Sequence, residues 1–259
     1  ANLTFKNSKV NYSGSYGLRG NNMTHKTILI EDSEIMGTQN RAIEFNGGWQ
    51  NAGSFTMKGS KIKNNNNGGF RLYEPGEVLF ENNEIANNSS AYFDVERLWG
   101  DVTVKNNTFS NNKNGRLSIR EGWTDNDSSN NQKSLSVLVE GNSITEGVSN
   151  SVSGIEVGSM RKGTGILIKN NVINNRYDGI SVWDSYNTDA KILGNTIKGT
   201  QQQSTGISVS SRTKSTIENN TIENKQNGIR VEYNDANGDG SSTITGNVIK
   251  GNSGYGIRV

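Results

Sequence analysis

The sequence predicts an all-β solenoid of about ten stacked coils. Two short phrases recur along the 259 residues, apolar and polar residues alternate inside them, and helical periodicity is absent. A repeat of 23 to 35 residues with so few apolar side chains cannot build a core alone. We therefore expect stacked coils to share one continuous core.

The first phrase brackets a serine or asparagine between two apolar residues, as in IENNTI at 217–222. Asparagine tolerates the left-handed backbone conformation, so we expect it at a tight bend between strands. Its amide can also bond to the same amide of the next coil, about 4.8 Å away. We predict an Asn/Ser ladder, with a changed turn geometry in the first three coils, where serine replaces asparagine. The bracketed residues are Ser8, Ser33, Ser60, Asn83, Asn107, Asn142, Asn171, Asn195, Asn220 and Asn247.

The second phrase is a four-residue strand with one buried face. It reads AIEF at 42–45, GFRL at 69–72, GIEV at 154–157 and GIRV at 228–231. Alternation with a period of two is typical of such a strand. Outward residues at one offset should then form columns along the solenoid.

Composition excludes several classes of protein. The net charge of +2 and the pI near 8.7 give no basic block for nucleic acid. The chain lacks cysteine and has one histidine, His25, which argues against disulfides, zinc sites and a Ser-His-Asp triad. No apolar run is long enough to insert into a membrane, and no signal peptide is visible.

The domain organisation follows from the repeat. We expect residues 1–259 to form a single domain, because the repeats run through the whole chain. The chain begins and ends inside the pattern, so we interpret it as a piece of a longer protein. Open solenoid ends need caps, which flanking domains or a second copy of the chain would supply.

These phrases resemble those of right-handed parallel β-helix proteins of the pectate-lyase-like superfamily. The N-N-x-I and G-I-x-V phrases resemble most closely the β-helix repeats of copper-processing periplasmic proteins, alginate epimerases and archaeal disaggregatases. The resemblance covers the whole chain and implies the fold. It does not imply one activity, because this fold carries lyases, hydrolases, epimerases, tailspikes and stalks.

Charged residues concentrate on the outward face of the second-phrase strands in the middle coils. One column contains Arg19, Glu44, Arg71, Asp94 and later members, and an alternating salt-bridge ladder is one interpretation of it. A substrate groove along coils 2 to 7 is the other. The candidate catalytic residues are Asp94, Glu96, Arg97, Arg120, Glu121, Glu156 and Asp184.

The tryptophans favour the groove. Trp49, Trp99 and Trp123 share one offset after the second-phrase strand, and Trp183 lies on the strand face itself. Aromatic rings in register could stack against sugar rings. In the alternative, they pack back on the coil and cover loops. The candidate substrate-binding residues are Glu44, Trp49, Arg71, Tyr73, Trp99, Trp123 and Trp183.

The spacing of carboxylates fits glycoside hydrolysis. Alternate coils place equivalent residues about 10 Å apart, close to the separation of about 6.5 to 9.5 Å in inverting enzymes. Asp94 with Glu44 or Glu156 would have this spacing, and Glu96 with Glu121 would be closer. A uronate lyase would instead use the arginines and Tyr73.

One loop resembles a calcium-binding loop. DANGDG at 235–240 presents oxygens from Asp235, Asn237 and Asp239, but the twelfth position is Gly246 rather than glutamate. An ordinary turn accounts for the same residues. No cofactor other than calcium is predicted.

The leading functional hypothesis is an extracellular polysaccharide-degrading enzyme, with a hydrolase favoured over a lyase. A non-catalytic carbohydrate-binding module and a structural stalk are the alternatives. An enzyme should have a carboxylate with a shifted pKa inside the groove, whereas the charges of a stalk should pair off completely.

Overall fold

The computed structural model describes residues 2–47, 53–66, 69–89, 92–113, 115–122, 134–146, 153–174, 177–183, 185, 188–199, 204–210, 213–232 and 240–259. Within these ranges the chain forms three parallel sheets of ten strands each. The strands of one coil belong to three different sheets, and each strand pairs with its equivalents in neighbouring coils. The predicted all-β solenoid of about ten coils is confirmed.

Sheet one precedes the bracketed Asn/Ser position. Its strands are β1 (Leu3–Lys6), β4 (Ile28–Glu31), β7 (Phe55–Lys58), β10 (Val78–Glu81), β13 (Val102–Lys105), β16 (Ser136–Glu140), β19 (Gly165–Lys169), β22 (Asp189–Leu193), β25 (Lys214–Glu218) and β28 (Ser241–Thr245).

Sheet two follows that position. Its strands are β2 (Lys9–Asn11), β5 (Glu34–Met36), β8 (Lys61–Lys63), β11 (Glu84–Ala86), β14 (Thr108–Asn112), β17 (Ser143–Glu146), β20 (Val172–Asn174), β23 (Thr196–Lys198), β26 (Thr221–Glu223) and β29 (Val248–Lys250).

Sheet three carries the second phrase. Its strands are β3 (Leu18–Gly20), β6 (Ile43–Asn46), β9 (Phe70–Tyr73), β12 (Tyr92–Glu96), β15 (Arg116–Arg120), β18 (Ile155–Gly158), β21 (Ile180–Trp183), β24 (Thr205–Ser210), β27 (Asn227–Glu232) and β30 (Ile257–Arg258).

The core runs along the axis between the three sheets. Each strand turns its alternate apolar residues inward, so that Ile30, Ile62 and Val95, one from each sheet, are almost fully buried. Phenylalanines fill the first half of the core, and Phe70 stacks on Phe93 with ring centroids 4.2 Å apart. Burial of these side chains supplies the main stabilising free energy.

The Asn/Ser ladder lies at the corner between sheets one and two, as predicted. Asn171 is fully buried, and its Nδ2 donates to Asn195 Oδ1 at 3.0 Å and to Val139 O at 3.0 Å. Its Oδ1 accepts from the backbone N–H of Asn142 at 2.9 Å and from Asn142 Nδ2 at 3.0 Å. The ladder thus satisfies buried backbone groups that the bend leaves outside the sheets.

Two details of the predicted corner were wrong. The left-handed residue is the one before the ladder position: Asn170 has φ 55° and Gly194 has φ 62°. The turn geometry is also unchanged in the serine coils, because Asp32 before Ser33 has φ 47°. The serine Oγ accepts the backbone N–H of the preceding coil much as the amide does.

A second polar ladder at the corner after sheet two was not predicted. Nδ2 of Asn65 donates to Asn88 Oδ1 at 2.8 Å, and Nδ2 of Asn88 donates to Asn112 Oδ1 at 3.0 Å. All three asparagines are buried. The sequence signal was present, because each follows the inward residue of its sheet-two strand by three positions.

Lysine and glutamate alternate along the outer surface of sheet one. The column Lys6, Glu31, Lys58, Glu81, Lys105, Glu140 and Lys169 is in register from strand to strand. Glu140 lies between Lys105 at 3.7 Å and Lys169 at 3.2 Å. Sheet two repeats the alternation with Lys9, Glu34, Lys61 and Glu84.

Replacing Glu140 with lysine would stack three lysines at strand spacing. We expect Glu140→Lys to lower the free energy of unfolding by about 1 to 2 kcal/mol at low salt, because two attractive pairs become repulsive. Added salt should reduce this loss by screening. Urea unfolding at two salt concentrations measures both effects.

Glu218→Lys is the matched control for that experiment. Glu218 occupies the same column, but its neighbours in register are Leu193 and Thr245. Equal losses in the two variants, or a loss in Glu140→Lys that does not depend on salt, would show that the column contributes nothing through charge.

Candidate functional site

The outward face of sheet three carries two columns of polar side chains. The strand register places Glu44, Arg71, Asp94, Ser118 and Glu156 in the first column. The second column contains Asn46, Tyr73, Glu96, Arg120, Gly158 and Trp183. The predicted stacking of these offsets is confirmed, and it places most candidate residues on one surface.

Glu96 is held by two arginines. Arg71 Nη2 lies 2.9 Å from its Oε2, and Arg120 Nη2 lies 2.5 Å from its Oε1. Arg71 therefore pairs diagonally with the second column. The alternating ladder predicted along the first column is confirmed only at its start, where Arg19 lies 3.3 Å from Glu44.

Arg116 connects Asp94 with Glu156. Its guanidinium lies 3.5 Å from Asp94 Oδ1 and 3.2 Å from Glu156 Oε2. Sequence reasoning missed Arg116, which starts β15 where most other coils have glycine. The replacement of glycine by arginine at this offset could have identified Arg116 from the sequence.

Asp94 combines burial with a shifted pKa. Its side chain is 12% exposed, and burial raises the pKa of the carboxyl above its ordinary value. Arg116 opposes this rise, and the negative charge of Glu96 adds to it. Asp94 therefore keeps its proton to a higher pH than an exposed aspartate does.

A cleft of about 300 Å³ opens at Glu96, which lies two residues after Asp94 on β12. The ring of Tyr73 lies between two guanidinium groups, with Arg71 and Arg97 each 5.1 Å from its centroid. Such cation–π contacts fix the orientation of the ring. The cleft is lined by Tyr73, Glu96, Arg97, Arg120, Gly122, Ser159 and Trp183.

Trp183 forms a hydrogen bond with Glu156 of the first column. Its Nε1 donates to Glu156 Oε1 at 2.9 Å, and the ring is partly exposed in the cleft. A chain of contacts therefore runs from Trp183 through Glu156 and Arg116 to Asp94.

Glu121 and Glu44 do not line the cleft. Glu121 is 1% exposed and forms an ion pair with Arg161, and burial raises the pKa of this carboxyl against the effect of Arg161. Arg161 also donates to Leu98 O at 2.8 Å, which ties successive coils together. Glu44 is enclosed by Arg19 and Arg41 near the first coils. Both glutamates are therefore held in ion pairs with arginines.

Of the four tryptophans of the predicted platform, Trp183 is the one that lines the cleft among the described residues. Trp99 is half-buried, its backbone N–H donates to Pro75 O at 2.9 Å, and it does not line the cleft. Trp49, Trp123 and Asp184 lie outside the described residues.

The predicted calcium ligands Asp235, Asn237 and Asp239 also lie outside the described residues. In the part of the chain that the structure describes, no three His, Cys, Asp or Glu side chains come together as a metal site. The described chain also contains no helix that could span a membrane.

Comparison with known families agrees with this architecture. The family model for the right handed beta helix region matches residues 1–137 and 125–259. The chain belongs to this right-handed β-helix family. No curated protein matches the sequence.

The β-helix is also similar to a solved structure, the catalytic unit of a thermostable GH87 alpha-1,3-glucanase from Streptomyces thermodiastaticus. The sequence identity is 14% and the TM-score is 0.45. The match covers 98% of this chain and 62% of the glucanase chain.

Proposed function

We propose that this β-helix binds a polysaccharide across the outward face of sheet three and hydrolyses it, with Asp94 as the general acid. The observation that carries the proposal is a buried carboxyl with a raised pKa, Asp94, on the same strand face as Glu96, which lines a cleft with aromatic and arginine side chains. Perturbed carboxyls in clefts are typical of catalytic sites.

Proton donation is the role that Asp94 fits. A glycosidic oxygen needs a proton as its bond to the sugar breaks, and an acid that is still protonated near neutral pH supplies it. Burial raises the pKa of Asp94 and so favours its protonated form, whereas the nearby arginines hold the carboxylate of Glu96 in place.

Glu96 is the best partner for Asp94. The two residues lie two positions apart on β12 and face the same side, so their Cα atoms are about 6.5 to 7 Å apart. Inverting glycosidases hold their two carboxyl groups about 6.5 to 9.5 Å apart, which leaves room for a water, and two side chains on neighbouring outward positions can reach this separation. Glu156 suits this role less well, because Arg116 lies between it and Asp94.

The substrate would lie along the axis of the β-helix. Trp183 offers a ring surface, and Arg97 and Arg120 offer donors for sugar hydroxyls. The proposal includes an extracellular location for the β-helix. Non-catalytic glycan binding is the second candidate, favoured by the ion pairs that already hold Glu44, Glu96 and Glu156.

A panel of polysaccharides tests the proposal. The β-helix would be incubated with amylose, laminarin, dextran, xylan, alginate and polygalacturonate, and released fragments analysed by mass spectrometry. We expect fragments that have gained one water for each bond cleaved. Unsaturated fragments would instead identify a lyase and place Arg97, Arg120 and Tyr73 in the chemistry. Binding without fragments would support non-catalytic glycan binding. If neither binding nor fragments are observed, a structural stalk is the remaining function.

A further inference from the structure

The ring of Trp183 lies against Gly158 of the preceding coil. The two residues are partners in register on β21 and β18. A Cβ atom added to Gly158 would lie 2.7 Å from Trp183 Cδ2 and 2.8 Å from its Nε1, and it would also clash with Cε2. These atoms lie at the ring fusion and the pyrrole edge, not at the outer rim. The face of the indole therefore covers the backbone of Gly158.

The position of the ring is fixed from its polar edge as well. The Nε1–H of Trp183 donates to Glu156, which lies two residues before Gly158 on β18 and is itself bound by Arg116. One face of the indole rests on the strand, and the ring contributes to the lining of the cleft. No other second-column residue from Tyr73 to Trp183 is a glycine: the preceding strands have Tyr73, Glu96 and Arg120.

We propose that Gly158 is the specificity-determining position of the cleft, because it lets Trp183 lie flat as a floor for the C–H face of a pyranose ring. A side chain at this position would occupy the space of the indole and lift the ring into the cleft. The floor would favour sugars with an apolar ring face, and Arg97 and Arg120 in the cleft lining would donate hydrogen bonds to their hydroxyls. This inference rests on the proposed glycan-binding function and names the surface that recognises the sugar.

Fluorine NMR of the 5-fluorotryptophan-labelled protein tests the inference. The Trp183 resonance is assigned from its loss in Trp183→Phe. We expect it to shift when methyl glucopyranoside, galactopyranoside or mannopyranoside is added to the wild type. In Gly158→Ala, the Trp183 resonance of the free protein should already differ from that of the wild type. The affinity for these sugars, measured from the shift of this resonance, should be about tenfold lower.

Gly165→Ala is the matched control. Gly165 lies in β19, and an added Cβ has nothing within 4 Å. This variant should respond to the sugars as the wild type does. If the wild-type Trp183 resonance does not shift with any of the three sugars, the proposal that Trp183 stacks against sugars is wrong. A Gly158→Ala protein that responds like Gly165→Ala would overturn the role of Gly158.

Unfolding measurements separate a local clash from general damage. In a double-mutant cycle, Gly158→Ala should lower the urea midpoint in the wild-type background and leave it nearly unchanged in a Trp183→Ala background. Equal losses in both backgrounds would contradict the packing of the ring on Gly158. This cycle also decides the matter if Gly158→Ala alone folds poorly. Sugar stacking without polysaccharide cleavage would refute the proposed hydrolysis and leave the floor in place.

Discussion

Replacing Asp94 with asparagine is expected to slow polysaccharide hydrolysis by about 10²- to 10⁴-fold, because asparagine cannot donate a proton to the leaving oxygen. Polysaccharide binding should change little, since the amide has nearly the same shape and Asp94 is mostly buried. Initial rates of fragment release and equilibrium binding, measured on the same preparations, test both statements.

The pH dependence provides an independent check. The acid form of Asp94 is the active one, so the rate should fall as pH rises through its raised pKa. Arg116 lowers this pKa, and therefore Arg116→Gln should move the descending limb to higher pH. Glu232→Gln, on the same face at β27, serves as a control and should retain the wild-type rate and profile. A descending limb that stays in place in Arg116→Gln would argue against Asp94 as the acid.

Replacing Asn171 with alanine is expected to lower the free energy of unfolding by about 2 to 4 kcal/mol. The buried amide makes hydrogen bonds to Val139 O and to the N–H of Asn142, and its loss would leave these backbone groups without that partner. An unsatisfied buried group costs about 1 to 3 kcal/mol. Urea unfolding followed by circular dichroism measures the loss.

The preceding residue provides a matched control. Asn170 is exposed and has φ 55°, and the equivalent residues Gly141 and Gly194 show that glycine suits this conformation. We therefore expect Asn170→Gly to remain within about 0.5 kcal/mol of the wild type. Comparable losses in Asn170→Gly and Asn171→Ala would mean that the ladder itself contributes little.

The coils and columns could be predicted because both depend on local, periodic signals. The alternation in strands such as GIEV determines which residues face outward, and equal offsets then stack by geometry. Glu121 directly follows Arg120, an outward residue of β15, so continued alternation turns it inward and away from Glu96. The predicted proximity of Glu121 and Glu96 rested on neighbouring offsets alone. The sequence did not indicate the partner that Glu121 finds on the inward side, which is Arg161.

Long side chains that cross coils were the other source of error. Arg116 reaches both Asp94 and Glu156, which are separated by 62 positions in the chain. Arg71 forms an ion pair with Glu96 of the second column, although its neighbours in the first column, Glu44 and Asp94, are also acidic. Such choices depend on the relative distances and burial of several partners, and the sequence does not contain these quantities.

The alternation of lysine and glutamate on sheet one has a consequence for how such chains change length. Charge repeats every two coils, whereas the fold repeats every coil. Loss of the single coil that carries Glu81 would bring Lys58 against Lys105, but loss of two adjacent coils would preserve the alternation of charge. Along this column, from Lys6 to Lys169, the evolutionary unit of duplication or deletion is therefore expected to be a pair of coils.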